Sequence, residues 1–491
     1  MLTRIEKERR VPVPSKVSVR IGDASFPLPF GQRLEFNPPV HGTWNIVHIG
    51  MSVPQSHSIY VCSDNCMRGV VMTAAEMGAG DRFSCVTVRE QDTITDNLES
   101  VTVEGVTNVL EHLDRQPPVV FLFLVCLHIF VASDEAYILK TLGARFPKVR
   151  FIRCYMDCIR QKTGPTPECK LRSSMFEAID PLPDNVMSAD LRAHEHRPLN
   201  PRRVNILGCD VAFRHDSELI RMLSDGGFEV RQLQDCRTFA DYQALGEASV
   251  NLCTYMNAQD GVKALSVRTG AEYLYLPPAV DTSEIKVLYG RLSSLTGALI
   301  PEKWMEDEED ACRKRLSALK DQIKDTPVTV DYTFHPRPLG IAYLLLSAGI
   351  RVERVYLDAV LDEEWEVFEK LREEYPDLEL TATIQPQERR SDSNHIPKEQ
   401  AGAGGIVIAL GQKAAWFEQS VHFANEIEGA GLWGFEGIRL LCDLILEAFL
   451  REKDLWDIVP RKGLGLESSC CVPGREPGNG GSGSVFPEVK V

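Results

Sequence analysis

The sequence lacks the features of membrane-spanning, secreted and nucleic-acid-binding proteins. Its longest apolar run, Val119–Ala132, has 14 residues and is interrupted by His128, whereas a membrane span needs about 20. Residues 1–16 carry charges with no apolar stretch after them, so we expect no secretion signal and a cytoplasmic location. Positive charge is also scarce, because 54 Lys and Arg stand against 70 Asp and Glu and give a net charge of −16. Such a chain repels phosphate backbones and anionic lipids, which argues against nucleic-acid and membrane partners.

Two short motifs with a defined chemistry are also missing. None of the 14 cysteines forms a CxxC pair, so the usual zinc-binding pattern is excluded. Two pairs have the spacing CxxxC instead, Cys62/Cys66 and Cys154/Cys158. The dipeptide Gly-Lys does not occur, which excludes the phosphate-binding loop of P-loop ATPases. Any step driven by ATP would therefore have to come from a partner protein.

Length and composition describe a globular protein with more than one core. At about 150 residues per domain, the 491 residues correspond to roughly three domains. Hydrophobic residues make up 44% of the chain and charged residues 25%, which excludes a mostly disordered protein.

Strand-like and helix-like segments alternate along the chain. In the first region the strand-like segments are 45–51, 58–62, 83–88, 119–126 and 149–156, and the helix-like segments are 65–78, 94–113 and 133–146. Segment 119–126 is continuously apolar, which is typical of a parallel strand buried on both faces. The alternation returns after residue 202 and again after residue 326. The sequence therefore predicts an α/β fold of three doubly wound, Rossmann-like units with parallel sheets.

Changes of composition divide the chain into five parts. The predicted division is an N-terminal extension (1–40), a first α/β domain (41–200), a second (201–325), a third (326–466) and a flexible tail (467–491). The tail is predicted from its Gly, Ser and Pro content. Residues 160–201 are polar and contain several prolines, so we expect a connection there, and residues 386–404 lack periodicity and predict a surface loop.

Cysteines stand at or near the ends of three predicted strands of the first domain. Cys62 and Cys126 end their strands, and Cys154 lies near the end of another. Because ligands bind beyond the carboxyl ends of parallel strands, we expect these thiols at one edge of one sheet, with Cys66 one helical turn after Cys62. Several thiolates that converge in a reducing compartment can hold an iron–sulfur cluster. The alternative is that they are small buried residues of the core.

The surrounding motifs resemble nitrogenase component 1. The segment SHSIYVC ends in Cys62 before a helix, VREQD follows at 88–92, and LVCLHIFVASDE places Cys126 before an acidic helix start. Further on, GQKAAWF (411–417) and HFANEIEGAGLWGFEG (422–437) are similar to the C-terminal domain of that family. The chain thus resembles, from about residue 40 to residue 465, a divergent member of the nitrogenase component 1-like oxidoreductases. That superfamily includes the nitrogenase molybdenum–iron protein subunits and nitrogenase-like reductases.

The resemblance implies an iron–sulfur cluster and an external electron donor. Cys62 and Cys126 match the family's cluster positions, and Cys66, Cys154 or a second subunit would supply the remaining ligands. The family's first cluster cysteine has no counterpart before Cys62, which favours a [4Fe–4S] cluster over an eight-iron cluster. The implied donor is an ATP-dependent iron–sulfur reductase similar to the nitrogenase iron protein. The implied assembly is a homo- or hetero-oligomer with a related component 1 subunit.

The resemblance also implies a second metallocluster between the middle and C-terminal domains. Cys253 ends the segment SVNLC and His422 precedes the glycine-rich loop, each slightly offset from the family's ligand position. Gly429, Gly431 and Gly434 would let the backbone of this loop approach a bulky cofactor. A thiolate with an imidazole suits a cluster that contains iron. The alternative is a buried strand-end cysteine and a histidine that caps a helix.

Three functions stay open on the sequence. The first is an oxidoreductase subunit that receives low-potential electrons through the cluster and reduces a substrate in the interdomain cleft. The second is a non-catalytic scaffold on which a metallocluster is assembled or transferred. The third is an α/β binding protein without metal, whose cysteines all belong to the core. Neither the substrate nor a catalytic residue is indicated by the sequence.

Overall fold

The computed structural model describes residues 18–30, 46–76, 78–94, 97–156, 167–179, 198–383, 405–429 and 431–458. These residues form three sheets with helices packed against them. Cys158, the predicted loop 386–404, the tail 467–491 and most of the extension 1–40 lie outside the described residues. No helix in the described ranges is long and apolar enough to cross a membrane. The first described element is the short strand β1 (Ser18–Arg20).

The first unit, residues 46–179, is built on a four-stranded sheet. Its strands are β2 (Ser56–Cys62), β3 (Phe83–Thr87), β4 (Val119–Val125) and β5 (Arg150–Met156). They are all parallel and lie in the order β3-β2-β4-β5. The helices are α1 (Ile46–Met51), α2 (Asp64–Glu76), α3 (Glu90–Ile94), α4 (Leu98–His112), α5 (Cys126–Phe130), α6 (Glu135–Arg145) and α7 (Pro167–Glu177). Strand β4 is buried along its whole length because both of its faces are apolar and covered.

The second unit, residues 198–323, repeats this arrangement. Its strands are β6 (Asn200–Leu207), β7 (Glu229–Gln232), β8 (Ala248–Cys253) and β9 (Glu272–Tyr275). They are parallel and lie in the order β7-β6-β8-β9. The helices are α8 (Glu218–Asp225), α9 (Phe239–Gln243), α10 (Gln259–Thr269), α11 (Thr282–Thr296) and α12 (Glu302–Ile323). A capping box of Thr238 and Asp241 starts α9, and Gly270 in the left-handed conformation ends α10.

The third unit, residues 328–458, also receives strand β1. Its own strands are β10 (Val328–Asp331), β11 (Val352–Tyr356), β12 (Glu379–Thr381), β13 (Ile408–Leu410) and β14 (Phe423–Ala424). The order is β1-β12-β11-β10-β13-β14, and all pairs are parallel except that β1 runs antiparallel to β12. The helices are α13 (Pro338–Ser347), α14 (Trp365–Glu374), α15 (Gln412–Glu418) and α16 (Gly434–Leu450). Part of the predicted extension thus completes the edge of the third sheet.

The α/β class and the parallel sheets are confirmed, but two local predictions differ from the structure. Segment 45–51 was expected to be a strand, and its residues 46–51 form helix α1, which is buried on almost every side and packs against α2 and α7. A short, mostly apolar run fits a buried helix as well as a buried strand, because it is too short to show a period. Helix α7 lies inside the stretch 160–201 that was expected to be a connection.

The three units share their hydrophobic cores. One core combines residues of the second and third units, such as Val204 and Phe435. A second core combines residues of the first and second units, such as Tyr60 and Val262. The units are therefore packed directly on one another.

Candidate functional site

Cys62 and Cys126 lie on the two sides of the switch point of the first sheet. The chain runs from β2 to β3 on one side and continues with β4 and β5 on the other, and ligands of doubly wound sheets bind beyond the carboxyl ends at this point. Cys62 is the last residue of β2, and Cys126 follows the last residue of β4. Because Val61 is opposite Leu124, Cys126 lies only one residue beyond the level of Cys62. The structure thus brings the backbones of these two cysteines to one edge of the sheet.

The thiol of Cys62 is enclosed, whereas Cys126 is half-buried. Both pack against the core shared by the first and second units. Burial raises the pKa of Cys62 to about 12, so the metal-free protein keeps this group as a neutral thiol. Binding of a soft metal would displace that proton, because the thiolate is the ligand form.

Cys66 is exposed in the first turn of α2. Its backbone N–H donates to the carbonyl of Ser63 at 2.9 Å, and the Ser63 hydroxyl donates to its Sγ at 3.5 Å. Helix α2 begins directly after β2, so Cys66 lies on the accessible side of the edge that carries Cys62.

Cys154 does not reach this edge. It is paired with Phe123 of β4, two residues before the last pair between β4 and β5. Strand β4 lies between β5 and β2, so β5 is two strand spacings, about 9–10 Å, from β2. Its row across the sheet is Cys85, Tyr60, Phe123 and Cys154, in which the Tyr60 and Phe123 rings stack at 4.2 Å. The thiol is fully buried and lies 3.8 Å from the carbonyl of Ile152. Cys154 therefore belongs to the core, with Cys85, which sequence reasoning did not select.

The donor set at this edge fits part of an iron–sulfur cluster. Within the described residues, no three His, Cys, Asp or Glu side chains are grouped so that they could hold a metal ion. Two thiols, with exposed Cys66 close in sequence, are the soft donors that iron–sulfur clusters use. Completion of a cluster would need ligands that this group does not supply.

Cys253 occupies the corresponding position in the second sheet. It ends β8 beside β6, where the strand order reverses, and is paired with Leu207. Its thiol is buried and donates to the carbonyl of Tyr255 at 3.3 Å, and burial raises its pKa to about 12. The next residue after β6, Gly208, has a φ of +103°, and a Cβ there would lie 2.9 Å from Ala258. The chain is closely packed around this thiol.

The side chain of Arg172, from α7, lies at this switch point. Its guanidinium donates to both carboxylate oxygens of Asp210 at 2.9 and 2.6 Å and to the carbonyl of Gly208 at 3.0 Å. It also donates to Glu168 at 2.9 Å, and its Cζ lies 4.8 Å from the centre of the Tyr255 ring. Arg172 and Asp210 are only 3% and 2% exposed. A helix of the first unit thus fills the position that a ligand would take in the second.

The glycine-rich loop of the third unit reaches the same network through Glu428. The backbone N–H groups of Glu428 and Gly429 donate to Thr333 and Phe334 at 2.8 and 2.7 Å, which anchors the loop beyond the end of β10. The Glu428 side chain is buried beside Asp210, and burial together with the Asp210 charge raises the pKa of Glu428 well above its ordinary value. Both effects favour the neutral acid form of Glu428.

His422 lies at the opposite end of the third sheet from this loop. It precedes β14, which is parallel to β13, so it stands at the amino end of its strand. Its Nδ1 is 3.0 Å from the carbonyl of Ala448 near the end of α16. Gly434 begins α16, and at 1.5 Å per residue these two points are about 21 Å apart along the helix. The structure does not bring His422 together with the glycine-rich loop.

The imidazole beside the loop belongs to His335, which sequence reasoning missed. A Cβ on Gly429 would overlap the His335 ring, so glycine is needed there for packing. His335 is completely buried, its Nδ1 accepts from the Arg337 backbone N–H at 3.1 Å, and its Nε2 has no hydrogen-bond partner among the described residues. Burial and the nearby Arg337 charge lower the pKa of His335 to about 3. Its position in the segment that follows the carboxyl end of β10, four residues after Asp331, was the signal that could have identified it.

Gly434 serves the contact between the second and third units. A Cβ on it would overlap Tyr289 and Glu218. The Glu218 carboxylate accepts from the backbone N–H groups of Phe435 and Glu436 at 3.1 and 3.0 Å, and the Glu436 carboxylate accepts from the Glu218 N–H at 2.6 Å. Two helix N-termini are thus capped reciprocally across the units.

Gly431 has a φ of +74°, and the nearest atom to an added Cβ would be a Leu440 methyl carbon at 3.7 Å. Glycine at this position supplies a left-handed turn in the loop rather than room for a neighbouring side chain.

The switch point of the third sheet is also filled by the chain's own side chains. Asp331 ends β10, and its carboxylate accepts from the backbone N–H groups of Thr333 and Ala414, both at 2.7 Å. The buried ammonium of Lys413 donates to Tyr332 and, at 3.1 Å, to the hydroxyl of Thr383. Lys413 lies in the GQKAAWF segment, but its burial was not predicted.

An open cavity of about 450 Å³ lies between the second and third units. Its walls come from the start of α11 and from α13 and α14. Arg337 donates to both Glu284 oxygens at 2.9 Å across it, and Glu364 accepts from the Gly340 N–H at 2.9 Å. Burial raises the pKa of Glu364 to about 8. This volume is in the range of small-molecule sites.

Comparison with known proteins agrees with the fold described above. A family model, nitrogenase component 1 type oxidoreductase, matches residues 39–399, which end before the glycine-rich loop. The chain is 12% identical to a solved structure described as "Nitrogenase Cp1 at pH 6.5", with a TM-score of 0.60, covering 86% of this chain and 94% of that chain. It is also 12% identical to "Nitrogenase Cp1 at pH 5", with a TM-score of 0.49 and coverage of 87% and 93%. None of the curated proteins compared with the chain matches it. Because the family model spans well over half of the residues, the chain belongs to the nitrogenase component 1 type oxidoreductase family.

Proposed function

We propose that this protein is a subunit of a two-component reductase, in which an ATP-dependent iron–sulfur reductase delivers low-potential electrons. The electrons would enter at a [4Fe–4S] cluster held in part by Cys62 and Cys126. The observation that carries this proposal is the position of the two thiols on either side of the first sheet's switch point. Family membership supports the reaction class.

A bound cluster would supply one-electron transfer at this edge. The chain's own contribution is to hold Cys62 away from water, which favours a metal-bound thiolate over a free one in this apolar setting. Val125 and Tyr60 lie in the same core and exclude solvent from that side of the edge. Cys66, on the exposed side, is available as a further donor.

Apolar side chains around this edge support a second subunit. Val71 of α2, Ile94 of α3 and Phe130 of α5 are 43%, 76% and 67% exposed. Their helices follow β2, β3 and β4 at the edge that carries the cysteines. Exposed apolar groups beside an incomplete ligand set favour a related component 1 subunit, or a second copy, that covers the edge and completes the cluster.

We propose that a substrate is reduced in the cleft between the second and third domains. The proposed boundaries are 41–200 for the first domain, 201–325 for the second and 326–466 for the third. The cavity of about 450 Å³ between α11, α13 and α14 is the space that supports this location.

The scaffold function is the second candidate. It is favoured by the small number of thiols at the first edge, because a partly ligated cluster is released more easily.

The test is the iron and sulfide content of the full chain purified without oxygen, with its EPR spectrum. The double variant Cys62→Ala, Cys126→Ala should lose the bound iron because both strand-end thiols are gone. The control Cys236→Ala, Cys442→Ala removes two other buried cysteines and should keep it. Unchanged iron in the first double variant would refute the proposal. Reoxidation of the reduced protein by a substrate separates the reductase from the scaffold, which shows no turnover.

A further inference from the structure

The carboxyl edge of the second sheet is bonded to Arg172 of the first unit and lies beside Glu428 of the third. We infer that Arg172 closes this junction with a buried ion network in place of a ligand, so that no second metallocluster is held beside Cys253. The inference concerns Cys253 and the glycine-rich loop, and it does not depend on the proposed function at Cys62 and Cys126.

Most of the hydrogen-bonding capacity of Arg172 is used within the chain. Four of its five N–H groups donate, two to Asp210, one to the Gly208 carbonyl and one to Glu168. Glu168 in turn accepts from the Asn257 amide at 2.8 Å. Each of these contacts is made within the chain, so a ligand that took the place of the guanidinium would have to displace charge-assisted hydrogen bonds.

The charges of the network also oppose a cluster. Arg172 is the only cation among the described side chains bonded in this network, and Asp210 and Glu168 already exceed its charge. An iron–sulfur cluster with thiolate ligands is itself negative, so these carboxylates would repel it. Displacement of Arg172 would leave the Asp210 carboxylate, 2% exposed, without its partner.

The Cys253 side chain packs against this network and does not face an open cavity. Its thiol donates to the Tyr255 carbonyl, and the Tyr255 ring lies against the Arg172 guanidinium. The imidazole expected to complete the site, His422, is bonded near the far end of α16. The two residues therefore do not form the donor pair that the sequence implied.

Site-resolved thiol labelling of the anaerobic full chain tests the inference. N-ethylmaleimide is applied under native conditions, and the labelling rate of each cysteine is read by mass spectrometry. Buried Cys253 should react at least ~100-fold more slowly than exposed Cys66, because labelling requires local opening. Arg172→Ala should raise the Cys253 rate at least ~10-fold, whereas Arg203→Ala, which breaks ion pairs within the second unit only, should not. If Arg172→Ala does not fold, Arg172→Lys, which keeps the positive charge, is labelled in its place.

Removal of iron by a chelator gives the decisive comparison. The Cys253 rate should not change on chelation, and the variant Cys253→Ala should keep the wild-type iron content. A faster Cys253 rate after chelation, or loss of iron in Cys253→Ala, would overturn the inference. Failure of the proposed function gives a different result. If no cluster is bound at Cys62 and Cys126, chelation leaves the labelling rates of these two cysteines unchanged.

Discussion

Replacement of Arg172 by Met should weaken the junction between the three units. Met keeps much of the length and apolar stem of Arg172 but removes every N–H donor, so the 2% exposed Asp210 carboxylate loses its bidentate partner. An unpaired buried charge of this kind destabilises by about 3–5 kcal/mol. The pair with Glu168, which is 26% exposed, adds little, because that carboxylate can be rehydrated.

Arg203→Met is the matched control. Arg203 is also bonded to two carboxylates, but Glu229 and Glu247 are 49% and 28% exposed and belong to the same unit. Loss of this pair should change stability by about 0–1 kcal/mol. In the double variant Arg172→Met, Asp210→Asn the buried charge is gone as well, so most of the lost stability should return.

Native-state hydrogen exchange is the assay, because a protein of several units need not unfold in one step. Peptides that cover residues 168–177 and 425–429 report on the two sides of the junction. Their opening free energy should fall by about 3–5 kcal/mol in Arg172→Met and by at most ~1 kcal/mol in Arg203→Met. Equal effects of the two single variants would refute the reasoning, as would a double variant that is no better than Arg172→Met.

Two further predictions concern the third unit. Glu364 has a pKa of about 8 in the folded protein against an ordinary 4.5, so the folded state holds a proton that the unfolded state releases, and stability is lost as pH rises from about 4.5 through 8. Relative to wild type, Glu364→Gln should therefore gain about 3 kcal/mol of unfolding free energy between pH 5 and pH 8 in urea unfolding, and a difference that stays constant over this range would refute the prediction. Gly411 has a φ of +106° and a ψ of 163°, and an added Cβ would overlap the Asp331 carboxylate. Gly411→Ala should thus cost at least ~3 kcal/mol, against about 1 kcal/mol for Gly270→Ala, which has positive φ but open space, and a similar melting temperature for both variants would contradict this account.

The placement of Cys62 and Cys126 at one edge of a sheet could be predicted because it depends on local sequence. Cys62 and Cys126 end short apolar runs, and parallel strands bring their carboxyl ends to one edge regardless of the remaining contacts. The strand that carries Cys154 ends at Met156 as predicted, but the apolar pattern does not show that this thiol is buried in the core two residues before that end. The fold class followed from the alternation of segments for the same reason.

The junction between the units could not be predicted in this way. Arg172 lies in a polar stretch without a clear period, and its partner Asp210 is 38 residues away in a different unit. Glu428 of the third unit comes next to Asp210 only through the packing of the folded units, which the sequence pattern does not reveal. His422 was assigned to the glycine-rich loop because the two are close in sequence. The two-residue strand β14 lies between them, so His422 is at the amino end of the sheet and the loop is at the carboxyl end.

The antiparallel pairing of β1 with β12 has a consequence for synthesis of the chain. Ser18 meets Thr381 across 363 residues, and their side-chain oxygens are 2.7 Å apart. At about 5–20 residues per second, a ribosome needs roughly 20–70 s to add the missing strand after the first has emerged. During this interval the first and second units can acquire their parallel sheets, but β1 has no neighbour to pair with. Strand β1 therefore leaves the ribosome well before its partner strand exists, and until β12 is made its unpaired backbone groups are open to other sheet edges.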